Sequence, residues 1–177
     1  GEAGFGYGDN DDKTVLTEMQ NKYTKVFIRK EFEISEGSDL KSLGLLINYD
    51  DAFVLHANGR RLLNSNSLIV DEKTGEITVN NHEANNAEYF SLNDYAGAFK
   101  IGKNVIAIEG HNTNLESTDF TLDPQLLIGG SGSFVETNRK ENHEKSQTNW
   151  FYKNRSWNGK IDNLKIVSSN VDLSGLE

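Results

Sequence analysis

Leu43-Gly-Leu-Leu-Ile-Asn-Tyr-Asp-Asp-Ala-Phe-Val-Leu-His-Ala-Asn-Gly-Arg-Arg-Leu-Leu63 reads as a strand, a double-aspartate corner, a second strand, an Asn-Gly turn and a third strand. Asn58-Gly59 adopts the positive φ angles of a type I′ turn at little cost, which makes it a strong local hairpin signal. Phe53, Val54 and Leu55 flank it on one side, Leu62 and Leu63 on the other. Asp50 and Asp51 interrupt an otherwise apolar run. As a glycosidase pair they would have to face each other across one sugar, about 5 to 9.5 Å apart. Adjacent side chains on a strand point to opposite faces, so the better reading is an Asx turn whose side chains cap nearby amides.

Working outward, Lys25 to Ile34 is a half-buried strand. Val26, Ile28, Phe32 and Ile34 share one face, and Arg29, Glu31 and Glu33 the other. Ser35 to Asp39 is its turn. Upstream, Gly4-Phe-Gly-Tyr-Gly8 suits an irregular segment lying close against another backbone, anchored by Phe5 and Tyr7. Thr14-Val-Leu16 starts a short strand. Downstream, Ser67 to Val79 is a more exposed hairpin, Asn80 to Glu88 a polar loop, Tyr89 to Leu92 a short strand and Asn93 to Gly97 a turn. Val105-Ile-Ala-Ile-Glu109 looks like a central buried strand. After the polar loop 110–117, Asp119 to Ile128 closes the set, bent at Pro124.

Short strands at regular spacing, with almost no helical periodicity, predict an all-β sandwich. The predicted organisation is a sandwich core over 1–130, a polar loop or linker over 131–149, and a C-terminal strand segment over 150–177 packing on the sandwich. Trp150-Phe-Tyr152, Trp157 and Ile161 to Val167 resume strand character there, around a second Asn-Gly turn at Asn158-Gly159.

The chain has 177 residues, no cysteine and a net charge of -9. Without cysteine there is no disulfide, thiol catalysis or thiolate metal site. The acidity is uneven: residues 1–130 carry 11 Lys/Arg against 21 Asp/Glu, and 131–177 carry 7 against 6. An acidic body argues against nucleic acid or an anionic membrane as partner. No run approaches the ~18 apolar residues of a membrane helix. Gly1-Glu-Ala-Gly4 is not a signal peptide and reads as the start of a processed chain.

Four motifs carry a resemblance. Gly6-Tyr-Gly-Asp9 with Thr14-Val-Leu16 is similar to a "GYGDGD…TV" opening, and Phe27-Ile-Arg-Lys-Glu-Phe32 to a "YFRKTF" strand. Tyr49-Asp-Asp-Ala-Phe-Val-Leu-His-Ala-Asn-Gly59 resembles "YDDGAVVYLNG". Asn104-Val-Ile-Ala-Ile-Glu-Gly-His-Asn112 with Ser117-Thr-Asp119 resembles "NVLAVEVHN…SSD". In this order they resemble a galactose-binding-domain-like jelly-roll module of large secreted bacterial proteins, similar to carbohydrate-binding modules. The resemblance implies a β-sandwich jelly roll, usually beside a catalytic domain such as a glycoside hydrolase, lyase or phosphatase, with a structural Ca2+ site usual for the fold. The family's tryptophan-rich strand before "GYGD" has no counterpart here, and nothing after Gly130 matches. Trp150 to Tyr152 and Trp157 are candidates to replace that strand, while Gly159 to Ile166 resembles the last strand of laminin-G-like sandwiches.

The best metal candidates are Asp9, Asn10, Asp11 and Asp12, because Ca2+ takes about six to eight oxygen ligands. Lys13 and Thr14 exclude an EF-hand, and Asp119 or Asp123 could complete the set. Glu109, His111, Asn112 and Asp119 follow a buried strand and read as loop-satisfying hydrogen-bond partners. No second His lies within helical or hairpin reach of His111, and His56 reads as a surface strand residue. Trp150, Tyr152 and Trp157 form the one dense aromatic group, suited to stacking on sugar rings; Lys153 and Arg155 between them suit an anionic glycan. These five are the expected ligand-binding residues, and no residue is expected to be catalytic.

The expected function is a non-catalytic carbohydrate-binding or accessory module of a secreted or cell-surface multidomain bacterial protein. Its expected partners are a polysaccharide or oligosaccharide, anionic ones included, and a neighbouring catalytic domain. A structural spacer or adhesion domain without glycan binding is the alternative; a small glycan-active enzyme ranks last.

Overall fold

The computed structural model describes residues 3–9 and 12–129, together with the backbone of residues 165–168. Strand β1 is Phe5–Tyr7, β2 Thr14–Val15, β3 Lys25–Ile34, β4 Asp39–Tyr49, β5 Ala52–Ala57 and β6 Arg60–Asn64. Then follow β7 Leu68–Val70, β8 Ile77–Val79, β9 Glu88–Ser91, a 3-10 turn at Asn93–Ala98, β10 Gly102–His111, β11 Phe120–Gly129 and β12 Lys165–Ser168.

One sheet runs β2-β1-β11-β4-β9, and the other β3-β10-β5-β6. Every neighbouring pair is antiparallel except β1–β2. Hairpin β7–β8 stands apart as an insertion. Counting the eight principal strands without β2, the insertion and β12, the order 1-8-3-6 faces 2-7-4-5, which is a jelly roll. The all-β sandwich expected from the strand spacing is the observed architecture. β12 pairs parallel with β11 through Gln125 to Ile128, on the edge that β1 occupies through Phe120 to Leu122. The expected linker 131–149 and the aromatic stretch 150–157 lie outside the described residues.

Strict alternation makes the core. Leu43, Leu45, Ile47 and Tyr49 of β4 and Phe120, Leu122, Leu126 and Ile128 of β11 meet Ile28, Phe32 and Ile34 of β3, Phe53 and Leu55 of β5 and Ile106 and Ile108 of β10. Each large aliphatic side chain so buried contributes about 1.5–3 kcal/mol. Lys30 shares the inner face of β3 and is only 1% exposed. It stands between Ile28 and Phe32 on the inward period-2 face.

Two local expectations need correction. Gly4 to Gly8 is not irregular: its middle is strand β1, with Phe5 and Tyr7 buried as anchors. β10 extends past Glu109 to His111, so that histidine belongs to the sheet and not to a loop.

The Asn-Gly turn forms as read, with Asn58 at φ 49° and Gly59 at φ 82°. Asn58 is also a cross-sheet tie. Its Nδ2 donates to Ala98 O and Asn104 Oδ1, both at 2.8 Å, and its Oδ1 accepts from Val105 N at 2.8 Å. Buried Asn104 in turn closes the loop before β10 through Lys100 N, Lys100 O and Gly102 O. These bonds fix the height of the turn beside β10, where it walls the cleft described next.

Candidate functional site

The outer face of the β3-β10-β5 sheet carries a cleft. Register sets Arg29, Ala107 and His56 in one cross-strand row, and Phe27, Glu109 and Val54 in the next. Ala107 is small, so the middle of the first row is a depression between Arg29 and His56. Two strand spacings separate those residues, about 9.5 Å. The cleft measures about 380 Å3, and Phe27, Arg29, His56, Asn58, Gly59, Val105, Ala107 and Glu109 line it, with the Ile28 and Ile108 backbones' residues beneath. Phe27 is 70% exposed. An aromatic ring exposed to this degree on a strand is a surface suited to stacking.

Polar groups surround that ring. Arg29 Nη2 donates to Glu31 Oε1 at 3.0 Å, its one hydrogen bond among the described residues. Four of its five N–H donors are thus not used by it. His56 Nε2 lies 2.9 Å from Glu109 Oε1, and His111 Nε2 lies 3.4 Å from Glu109 Oε2. Burial, then Lys25, pushes the His111 pKa below the usual imidazole range, with Glu109 opposing. Glu109 therefore sits between two imidazoles from neighbouring strands. His56 is a part-exposed residue on the outer face of its strand, as read, and the pairing of β5 with β10 gives it Glu109 as a partner.

The acidic residues gather elsewhere, on the outer face of β1 and β11. A Cβ on Gly6 would stand 2.0 Å from Phe120 O and 2.4 Å from Asp12 Oδ1. A Cβ on Gly4 would stand 3.2 Å from Asp123 Cβ, and one on Gly8 2.7 Å from Asp119 Cβ. The alternation of glycine and aromatic now has a cause. Phe5 and Tyr7 fill the core, and the glycines leave room for carboxylates over the strand. Asp9 Oδ2 accepts from Thr121 Oγ1 at 3.2 Å on the same face. Asp119 lies towards Tyr7, whose hydroxyl accepts from Asn112 Nδ2. Asp9, Asp12, Asp119 and Asp123 are thus strung along one strand pair. Among the described residues, no three His, Asp or Glu side chains are placed to hold a metal ion. Asn10 and Asp11 lie outside the described residues, as do Trp150, Tyr152, Lys153, Arg155 and Trp157.

The Asp50-Asp51 corner is structural in its contacts, by a geometry the sequence did not give. The two residues fall between β4 and β5, where strand alternation no longer separates their side chains. Asp51 Oδ1 accepts from His82 N at 3.0 Å, and Oδ2 from Thr113 N at 2.7 Å. The expected capping of amides is there, but the amides belong to distant loops and not to a local Asx turn. Burial, then the Asp51 charge, then Asp119, push the Asp50 carboxyl up to about 8. Around the corner, the His82 ring stacks on Tyr49 at 4.1 Å and its Nε2 lies 2.8 Å from Glu88 Oε1.

No protein-family model and no curated protein sequence matches the chain. Solved structures show distant likeness. An α-L-rhamnosidase from Streptomyces avermitilis, complexed with L-rhamnose, is 11% identical, with a TM-score of 0.39 over 59% of this chain and 8% of its own. An α-L-rhamnosidase from Aspergillus terreus is 16% identical, with a TM-score of 0.38 over 62% of this chain and 13% of its own. A β-glucuronidase from Bacteroides uniformis is 10% identical, with a TM-score of 0.35 over 67% and 14% respectively. The chain thus spans about a tenth of the length of the glycoside hydrolase chains it resembles.

Proposed function

We propose that this chain is a non-catalytic carbohydrate-binding module of a secreted multidomain bacterial protein. The observation that supports it most is the cleft beside Phe27. An exposed aromatic ring, an arginine and a histidine–glutamate pair surround a floor of small side chains on rigid strands. Sugars offer a C–H face to the ring and hydroxyls to the polar groups, and a sheet face holds such partners without reorganising. Trp150, Tyr152, Lys153, Arg155 and Trp157 are proposed as further contacts. A neighbouring catalytic domain is the proposed partner within the full-length protein. The carboxylates on β1 and β11, together with Asn10 and Asp11, are proposed to hold a structural Ca2+; the resemblance and the glycine-floored stripe support this reading.

Affinity electrophoresis over a panel of plant, algal and bacterial polysaccharides tests the proposal. Retardation on at least one of them, lost in Phe27→Ala and kept in Asp50→Asn, is the expected result. Migration unchanged by every polysaccharide would refute it and leave the spacer or adhesion reading. In a parallel melt, millimolar Ca2+ should raise the Tm and Asp12→Asn should blunt the rise; an unchanged Tm removes the calcium site alone.

A further inference from the structure

We propose that the cleft beside Phe27 selects an acidic glycan, one whose ring carries a carboxylate, and that Arg29 reads that carboxylate. The inference rests on the carbohydrate-binding reading above and names the class of sugar. Three observations lead to it.

The first is charge placement. The chain is acidic, at -9. Yet by strand alternation the outer face of this sheet presents Lys25 and Arg29 of β3, Lys103 of β10 and Arg61 of β6, against Glu31, Glu33 and Glu109. It is a cation-bearing face on an anionic body. Four cations against three carboxylates leave this face nearly balanced on an acidic chain, so it repels an anionic ligand less than the rest of the surface does.

The second is occupancy. Glu109 Oε1 faces His56 Nε2 at 2.9 Å, while His111 Nε2 stands 3.4 Å from Oε2 without a hydrogen bond to it. Arg29 by contrast gives one bond to Glu31, and both side chains of that pair are more than 60% exposed. A surface pair of this kind is worth about 0–1 kcal/mol and yields readily to a better partner. The guanidinium fork matches a carboxylate in a bidentate geometry.

The third is spacing. Phe27 and Arg29 are i and i+2 on one strand face, about 6.7 Å apart along the strand. A pyranose stacked on Phe27 carries its exocyclic carbon at the ring edge, one side-chain position along the strand. A carboxylate there meets the Arg29 fork, while the cross-strand edge of the same ring faces Glu109, the register partner of Phe27 on β10. In a neutral hexose the same position holds a hydroxymethyl group, which takes one neutral hydrogen bond in place of a charge-assisted pair.

Titration calorimetry of the full 177-residue chain with oligogalacturonate and with its methyl ester tests the proposal, since the two share a ring and differ in charge. The acid form should bind at least about tenfold tighter, the factor expected when a charge-assisted pair is lost. Arg29→Gln should remove that preference while leaving binding of the ester, and Phe27→Ala should weaken both. Both residues are exposed, so each variant should keep the wild-type Tm. Equal affinity for acid and ester, or an Arg29→Gln variant that keeps the preference, overturns the inference. So does a stronger response to a sulfated, uronate-free glycan such as carrageenan. Binding confined to neutral glycans overturns it and leaves the carbohydrate-binding reading standing. Binding to no glycan at all removes both.

Discussion

Replacing Asp51 with alanine removes one buried carboxylate and with it the ties that hold two loops to the β4–β5 corner. Asp51 is 4% exposed, and its oxygens accept from His82 N at 3.0 Å and Thr113 N at 2.7 Å. Each backbone N–H left without a partner costs about 1–3 kcal/mol when buried, and these two are partly buried, so the lower half of the range applies. Against that loss, removing the Asp51 charge relieves the repulsion that helps to push the Asp50 carboxyl up. The two amides together give about 2–4 kcal/mol, and the relieved repulsion brings the net expectation to about 1–3 kcal/mol. For a chain of this size that lowers the Tm by about 2–12 °C. Asp51→Asn keeps the shape and one carbonyl acceptor and should fall about midway. Urea unfolding followed by tryptophan fluorescence and far-UV circular dichroism gives the difference directly. Amide exchange adds a local readout, because protection should drop first at His82 and Thr113. An alanine variant within about 0.5 kcal/mol of wild type, with both amides still protected, would refute the account of the corner as a loop anchor.

Two further outcomes follow from the same packing. The Asp50 carboxyl is held near 8 in the fold against an ordinary 3.8. A raised carboxyl pKa means that the folded state binds the extra proton between those values. Its contribution is complete below about 4 and is lost as pH rises towards 8, with a slope of up to about 1.4 kcal/mol per unit. In EDTA the wild type should therefore lose stability across pH 4–8, and Asp50→Asn should flatten that decline; parallel curves would refute it. Gly110→Ala would place a Cβ 2.7 Å from Phe120 Cζ and 3.0 Å from Leu122 Cδ2, both fully buried. Overpacking of this kind costs about 1–3 kcal/mol. Chemical denaturation checks this, and an unchanged midpoint would show that the core yields there.

The strands of the sandwich were legible one by one because alternation and turn chemistry are local. Lys25 to Ile34 shows which face is inward, Asn58-Gly59 shows where the chain reverses, and the apolar run before Glu109 marks a central strand. What stayed hidden depends on which strands become neighbours. His56 and Glu109 are 53 residues apart and meet because β5 and β10 pair in register. Asp51 finds its amides 31 and 62 residues away for the same reason. Neither pairing leaves a trace in sequence spacing, so both residues were given local explanations that the fold replaced.

Phe27 is a different matter, because its position was legible. It shares the period-2 face of Arg29, Glu31 and Glu33, opposite Ile28, Phe32 and Ile34. Alternation alone therefore puts a large apolar ring on the charged side of the strand. The expected site at Trp150 and Trp157 rests on aromatic density, and Phe27 adds a second signal, a large ring on the charged face of its strand. Burying a phenylalanine contributes about 1.5–3 kcal/mol, and a chain that leaves one in water on a well-ordered strand forgoes that gain. Phe120 of β11 and Phe32 of β3 both go inward. On the proposed reading, a glycan that covers Phe27 would restore the missing burial, with Arg29, His56 and Glu109 as its polar contacts.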